Sequence, residues 1–290
     1  SRAGASRVAT VAMADGKLPR LSGVDVCGRA DRLVTFYESC FGMVRAEGAG
    51  HAAARMAFPD CPVSVYIVDD ESGSAGDAAY DVVISCTDAQ QLASCAEVRG
   101  GAVRMPPATC TVGPSKIPDE PVGTVHETFE TRVLDCDGNA FRAVQRADHP
   151  PAITRIVRRV ADLEISRTFY SEGLGLEVLR WRSNLQSSPA ETSLCMQLGD
   201  PAALGGAAVL EAAPPTAPAG CALELVYAFN SDAPDPAQGS AGTITVECED
   251  VQKLAERLRG HAASSVTVSE DGTALVADPD GHLVRLVAAA

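Results

Sequence analysis

The chain has 290 residues, of which 46% are hydrophobic and only 4% aromatic, so its length predicts about two domains with cores of Ala, Val and Leu. A formal net charge of −14 argues against a nucleic-acid surface, which needs clustered Lys and Arg. No apolar run approaches about 18 residues, so the sequence predicts no membrane span.

Residues 1–19 are predicted to be a flexible N-terminus. Ser1–Ala14 contains two arginines, two serines and no acidic residue, a composition typical of the tail end of an organellar transit peptide. A transit remnant would place the protein in the chloroplast stroma. An ordinary flexible terminus, with a cytoplasmic protein, is the alternative.

The first half shows strand and helix patterns in the stretch Ser22–Gly48 and again further on. Five prolines between Arg104 and Val125 predict a long loop there. The other predicted elements of this half are a strand at Tyr80–Cys86, a helix at Asp88–Arg99, and two strands around an Asp-Gly turn within Glu127–Gln145.

The clearest pattern of the second half is Arg155–Arg182. A short apolar strand precedes Asp162, which stands at a helix N-cap position, and Ile165 and Phe169 follow at helical spacing. Gly173 and Gly175 then end the helix, and a strand follows at Leu176–Leu179. Downstream we predict a strand at Thr243–Cys248, a helix at Asp250–Arg259, a hairpin within Ala274–Val287, and Pro- or Gly-rich loops at Ala212–Pro218 and Ser231–Gly242.

Two pairs of motifs show that the chain is internally repeated. Phe36-Tyr37 corresponds to Phe169-Tyr170, and the Asp-x-Asp-Gly turn that begins at Asp135 corresponds to the one at Asp278. An Asp-Gly pair between apolar strands is a strong hairpin signal. The repeats divide the chain into four units, at about 20–78, 79–148, 150–230 and 240–288.

The ten cysteines are scattered from Cys27 to Cys248, and no C-x-x-C motif occurs. A disulfide-stapled secreted protein has densely spaced, paired cysteines. The pattern therefore predicts reduced thiols and a reducing compartment.

The second half resembles glyoxalase I nearly end to end. The resemblance lies in Arg155–Arg180, Thr192–Gly199, Ala222–Asn230, Gly242–Leu258 and Asp278–Val287. Glyoxalase I belongs to the vicinal oxygen chelate superfamily, and the first half is similar to a weaker second copy. The resemblance implies an α+β fold of four βαβββ units forming two glyoxalase-like domains, at 20–148 and 149–290, as in the fused two-domain glyoxalases.

The family binds a divalent metal from four strand positions and uses it to isomerise the glutathione hemithioacetal of methylglyoxal. Zinc or nickel takes imidazole nitrogen or carboxylate and amide oxygen as ligands, whereas a guanidinium has no lone pair to give. Of the matching positions in the second half, only Glu224 is a ligand type. The matching positions are Arg155, Glu224, Thr243 and Arg285 in the second half and Ser22, Tyr66 (loosely aligned), Asp81 and Arg142 in the first.

In the fused glyoxalases the first unit faces the fourth and the second faces the third. That pairing predicts one former site made of Asp81, Arg142, Arg155 and Glu224, and another made of Ser22, Tyr66, Thr243 and Arg285. Because buried unpaired charges are costly, we expect Arg155 to pair with Glu224 and Arg142 with Asp81. The alternative is that some of these side chains point to solvent and never meet.

The five histidines fall away from the aligned ligand positions; they are His51, His126, His149, His261 and His282. His282 follows an Asp-Gly turn, where an exposed polar residue is expected. An alternative site would consist of His126, Glu127, Glu130 and Asp81, but strand alternation would put the two glutamates on opposite faces. Cys-His nucleophilic chemistry has no support in the sequence, since nothing brings a particular cysteine to a particular histidine.

These observations favour a non-catalytic glyoxalase-like protein without a cofactor. It would serve as a binding or structural subunit, in a plastid assembly if the N-terminus is a transit remnant, with a protein partner rather than a nucleic acid or a membrane. One alternative is an active lactoylglutathione lyase with Ni or Zn and glutathione as cosubstrate. Another is a small-molecule binding module.

Overall fold

The computed structural model describes residues 19–48, 50–69, 80–112, 115–116, 126–146, 149–183, 193–200, 220–228 and 242–289. Within them, strands dominate and helices are few and short. The strands, in chain order, are β1 Arg20–Gly28, β2 Val44–Arg45, β3 Ala54–Ala57, β4 Ser64–Asp69, β5 Tyr80–Cys86, β6 Ala102–Val112, β7 Ser115–Lys116, β8 His126–Leu134, β9 Ala140–Gln145, β10 Ala152–Arg159, β11 Glu177–Ser183, β12 Ser193–Gly199, β13 Ala222–Ala228, β14 Ile244–Cys248, β15 Ser265–Val268, β16 Ala274–Ala277 and β17 Leu283–Ala288.

The strands form two mixed sheets, which confirms the predicted α+β class and the four-unit architecture. The first sheet has the order β15-β16-β17-β14-β1-β4-β3-β2, and the second has the order β6-β8-β9-β5-β10-β13-β12-β11-β7. The first unit therefore shares a sheet with the fourth, and the second with the third, through the antiparallel pairs β1–β14 and β5–β10. Each sheet takes strands from both halves of the chain, and the division at residues 148 and 149 stays a prediction.

Four α-helices accompany the sheets in the described ranges: α1 Ala30–Phe36, α2 Ala89–Val98, α3 Leu163–Arg167 and α4 Val251–Arg259. Asp88, Asp162 and Asp250 cap α2, α3 and α4, because each side-chain carboxylate accepts backbone N–H groups of the first turn. Two helices continue as π-helical turns, α1 through Tyr37–Phe41 and α3 through Thr168–Gly173.

Most buried apolar residues of both sheets and of the helices belong to one connected hydrophobic core. Phe169 lies in this core, as its helical spacing predicts. Ile165 does not, because it lies in the first turn of α3 on the solvent side and is 48% exposed. No helix in the described part of the chain has the length and hydrophobicity needed to cross a membrane.

The predicted loop at Arg104–Val125 is partly wrong. Its first part belongs to strand β6, which pairs with β8 at the edge of the second sheet. The register shifts between Met105 and Ala108, so Pro106 and Pro107 lie in a bulge of an edge strand, where proline is tolerated. Residues 113–114 and 117–125 lie outside the described residues, as do Ala212–Pro218 and all of Ser231–Gly242 except its last residue.

The repeated Phe-Tyr and Asp-Gly motifs meet in space. The hydroxyl of Tyr37 donates to Asp135 Oδ2 at 2.6 Å, and the hydroxyl of Tyr170 donates to Asp278 Oδ2 at 2.6 Å. In each turn the other carboxylate oxygen accepts two backbone N–H groups. Tyr37 follows β1 of the first sheet and Asp135 follows β8 of the second, so this bond joins the two sheets. The bond between Tyr170 and Asp278 also joins the two sheets, because Tyr170 follows β10 of the second sheet and Asp278 follows β16 of the first.

Candidate functional site

The second sheet buries the predicted pair of Arg155 and Glu224. Arg155 Nη1 donates to Glu224 Oε2 at 3.1 Å, and the two side chains are only 8% and 2% exposed. Gln197 Nε2 donates to the same carboxylate oxygen at 2.6 Å. Gln197 lies opposite Glu224 in the pairing of β12 with β13, and Arg180, also buried, lies opposite Gln197 in the pairing of β11 with β12. The expected Arg155–Glu224 ion pair is confirmed.

The predicted pair of Arg142 and Asp81 is wrong. Arg142 instead holds Glu130 in a bidentate ion pair, with Nη2–Oε1 and Nε–Oε2 distances of 2.6 and 2.9 Å. The two residues are diagonal neighbours across the antiparallel strands β8 and β9, whereas Asp81 lies opposite Val157 and is half-buried.

The environment of Glu130 combines two opposing effects on its pKa. Burial alone raises the pKa of this carboxyl, but the charge and hydrogen bonds of Arg142 outweigh it, and the pKa is lowered from its ordinary value of 4.5. The positive charge of Arg155 also lowers it. The ionised carboxylate is therefore the stable form in the fold, and Arg142 and Arg155 act on the same region of the sheet.

The first sheet carries a second charged cluster, which the sequence did not predict. Asp25 is completely buried and accepts a hydrogen bond from Arg285 Nη1 at 2.7 Å. His51 Nε2 lies 3.1 Å from Asp25 Oδ1 and 2.5 Å from the same guanidinium nitrogen. His51 does not occupy an aligned ligand position, but it contacts Arg285, which does. In the sequence, His51 is distinguished only as a polar residue between two strands.

The register of β1 places Gly23, and not Ser22, at the position equivalent to Arg155. Val157 pairs with Glu224, and Asp25 pairs with Tyr66, so Gly23 occupies the place that Arg155 occupies in the other sheet. Ser22 lies in the register shift between Leu21 and Gly23, and its hydroxyl donates to the backbone carbonyl of Thr245 at 3.5 Å.

The aromatic ring of Tyr66 fills the space that the missing side chain of Gly23 leaves. A Cβ on Gly23 would lie 2.4 Å from Tyr66 Cε2. The rings of Tyr66 and His51 are 5.3 Å apart, and burial raises the pKa of the Tyr66 phenol. Thr243 is buried, and its carbonyl accepts from the backbone N–H of Asp25.

The structure does not bring together Glu127 and Glu130, which strand alternation had predicted to lie on opposite faces. Glu127 is exposed, whereas Glu130 is buried and bound to Arg142. The side chain of His126 lies outside what the structure describes.

His282 is half-buried rather than exposed, and its Nε2 contacts the carbonyl of Arg159 at 2.9 Å. Burial lowers its pKa. All ten cysteines lie in the described ranges, and none of them forms a disulfide there.

The side chains at the former ligand positions do not fit a divalent metal. In the second sheet the aligned positions include two guanidinium groups, and the carboxylate of Glu224 is already bound to Arg155. In the first sheet Arg285 is bound to Asp25, and the remaining aligned positions supply a phenol and hydroxyls. Guanidinium groups cannot ligate a cation and repel one. Across the described ranges, no group of three or more His, Cys, Asp or Glu side chains could hold a metal ion.

Comparison with known proteins supports the fold. Residues 152–286 match the family model described as Glyoxalase/Bleomycin resistance protein/Dioxygenase superfamily. The structure of glyoxalase I from Zea mays superposes with a TM-score of 0.64 at 23% identity, over 93% of this chain and 92% of that chain. Both sheets therefore have the arrangement found in that protein.

Two plant sequences are also similar. A protein of Brassica oleracea var. gemmifera, provisionally named lactoylglutathione lyase, is 27% identical over 53% of this chain and 53% of its own length. A chloroplastic protein of Arabidopsis thaliana with the same provisional name is 26% identical over 54% of this chain and 44% of its own length. The chain thus spans about half the length of the curated relatives it matches. Together, these comparisons show that the chain has the fold of two-domain glyoxalase I, and that its second half is similar to the Glyoxalase/Bleomycin resistance protein/Dioxygenase superfamily.

Proposed function

We propose that this protein is a non-catalytic member of the glyoxalase fold that serves as a binding or structural subunit. One observation carries the proposal: in each sheet, arginine at a former metal-ligand position is bound to a protein carboxylate. Arg155 binds Glu224 in the second sheet, and Arg285 binds Asp25 in the first.

The energetics of these ion pairs oppose metal binding. A metal that recruited Glu224 would have to break its contacts with Arg155 and Gln197. That would leave a guanidinium buried close to a divalent cation, and breaking a buried pair costs about 3–5 kcal/mol before any repulsion is counted. Glu224 and Asp25, the carboxylates available to attract a cation, are thus already neutralised by the protein itself.

The proposed partner is a protein with a basic surface. The chain carries a net charge of −14, and complementary charge increases the rate and selectivity of association. A plastid location also belongs to this proposal; it is supported by the composition of residues 1–14 and by the chloroplastic relative, which is 26% identical.

The first test is enzymatic. The purified protein is assayed with the hemithioacetal of methylglyoxal and glutathione, after chelation and after addition of Ni or Zn. Glu224→Ala, prepared in the same way, measures contaminating host enzyme. We expect no turnover above that background. Metal-dependent turnover that is lost in Glu224→Ala would overturn the proposal in favour of a lyase, the function suggested by the names of the two plant relatives.

The second test addresses binding. The protein is purified from its native source at low ionic strength, and its mass is measured before and after a salt wash. A stoichiometric protein partner released by salt is the expected result, because screening weakens contacts between exposed charges. A free monomer at every salt concentration would contradict a subunit role.

A further inference from the structure

Two cysteines from different units meet at a helix contact. Cys40 lies in the π-helical turn after α1, Cys95 lies in α2, and both are partly exposed. Their sulfur atoms are 2.7 Å apart. A covalent S–S bond measures about 2.05 Å, so the two sulfurs are within roughly 0.65 Å of bonding distance. The sulfur atoms are therefore already close enough for a disulfide to form by a small change in their separation.

The internal repeat shows that this contact belongs to the architecture. Cys40 lies three residues after Tyr37, and Gly173 lies three residues after the corresponding Tyr170. Gly173 also sits at a close approach, because a Cβ there would lie 2.9 Å from the Cβ of His261. The π-helical turn is therefore tightly packed in the second half as well.

The position of Cys95 also has an equivalent in the second half. Cys95 and Arg257 each lie seven residues after the aspartate that caps their helix, α2 or α4 (95 − 88 and 257 − 250). Arg257 Nε donates to the carbonyl of Gly173, so the same two positions touch in the second half. The two positions are therefore in contact in both halves, and both are cysteines only in the first half.

We propose that Cys40 and Cys95 form a reversible disulfide that covalently joins the first and second units, with a low-molecular-weight disulfide as the oxidant. One protein thiolate attacks the oxidant and releases one small thiol, leaving a mixed disulfide. The other protein thiolate then attacks the protein sulfur of that mixed disulfide and releases the second small thiol. Two electrons pass to the oxidant, and the two thiol protons end on the two small thiols.

The environment of Cys40 disfavours its thiolate form. Burial, reinforced by the hydrogen bond and charge of Cys95, raises the pKa of the Cys40 thiol well above its ordinary value. Cys136 lies near enough to raise it further. Because a thiolate is required, oxidation should be faster at higher pH.

The test exposes the folded protein to excess glutathione disulfide, blocks the remaining thiols with maleimide, and maps the denatured digest by mass spectrometry. We expect two of the ten thiols to become protected and one linked peptide pair to contain Cys40 and Cys95. Addition of a reductant should restore all ten. Ten blocked thiols after oxidation, or glutathione retained on both cysteines, would overturn the proposal.

Variants of single cysteines sharpen the result. Cys40→Ser should keep glutathione on Cys95, because no second thiol remains to displace it. The matched control is Cys136→Ser, which removes the nearby third thiol and should leave the Cys40–Cys95 link intact. A Cys40–Cys136 link in the wild type, or loss of the expected link in the control, would refute the assignment. The wild-type map decides the question even if the serine variants fold poorly.

Discussion

The buried pair of Arg155 and Glu224 offers the most direct test of how the former ligand positions are stabilised. Glu224→Ala removes the carboxylate that binds both Arg155 and the side-chain amide of Gln197. Removing one partner of a buried ion pair leaves the other charge desolvated, which costs about 3–5 kcal/mol. We therefore expect the free energy of unfolding to fall by about that amount.

The geometry supports the same magnitude. Unit charges 3.1 Å apart attract by roughly 5 kcal/mol at an effective dielectric constant of about 20. The lost hydrogen bond from Gln197 adds about 1–3 kcal/mol if its amide is left unsatisfied. Against these losses, the variant no longer has to bury the charge of Glu224. This relief offsets part of the loss, so the net cost is smaller than the sum of the two contributions.

The assay is a double-mutant cycle measured by chemical denaturation. Glu224→Leu, Arg155→Met and the double variant are compared with the wild type. The double variant should cost far less than the sum of the two single changes, because it replaces both charges by apolar groups of similar size. Additivity within about 0.5 kcal/mol would show that the two charges do not interact in solution.

An exposed ion pair in the other sheet is the matched control. Arg20 and Glu247 form an ion pair between the neighbouring strands β1 and β14, at 2.7 Å, but their side chains are 52% and 25% exposed. Exposed pairs contribute about 0.2–1 kcal/mol. Glu247→Ala should therefore cost no more than about 1 kcal/mol, and equal losses in both sheets would refute the role given to burial.

Two further predictions concern stability. Tyr37→Phe should lower the free energy of unfolding by about 1.5–3 kcal/mol in denaturant melts, because the charged carboxylate of Asp135 loses a buried hydrogen bond. The control Tyr66→Phe should change it by no more than about 0.5 kcal/mol. Equal losses in the two variants would contradict the role of the inter-sheet hydrogen bond. Because the folded-state pKa of Glu130 lies below 4.5, its contribution is present above pH 4.5 and is lost as the pH falls through the folded value. Glu130→Gln should therefore lose less stability than the wild type between pH 7 and 3, and parallel losses would count against it.

Local sequence signals predicted the elements well. Asp162 caps its helix as its position indicated, because a carboxylate before a helical pattern satisfies N–H groups of the first turn. Asp88 and Asp250, predicted as the first residues of their helices, are the capping residues in the structure. The Asp-Gly turns likewise mark hairpins. These signals depend on neighbours within a few residues, and tertiary packing did not override them.

Long-range pairing was predicted less completely. Family resemblance placed Arg155 beside Glu224, but it could not show that Glu130 lies closer than Asp81 to Arg142, since that depends on strand register. The alignment placed Ser22 at the first position of β1, whereas the strand register makes Gly23 equivalent to Arg155. Asp25 was missed because its partners, His51 and Arg285, are distant in sequence. A one-residue offset in a strand changes which side chain faces the site, and composition gives no sign of it.

The order of the strands also constrains how the chain can fold during synthesis. At the centre of the first sheet, β1 pairs with β14, joining Leu21 to Val246. The second sheet joins β5 to β10, whose residues lie much closer in sequence. While the ribosome is still making the last unit, β1 has no strand on one side, and an open strand edge invites wrong pairing. The second sheet is therefore able to close first, and the first sheet closes only when the end of the chain emerges.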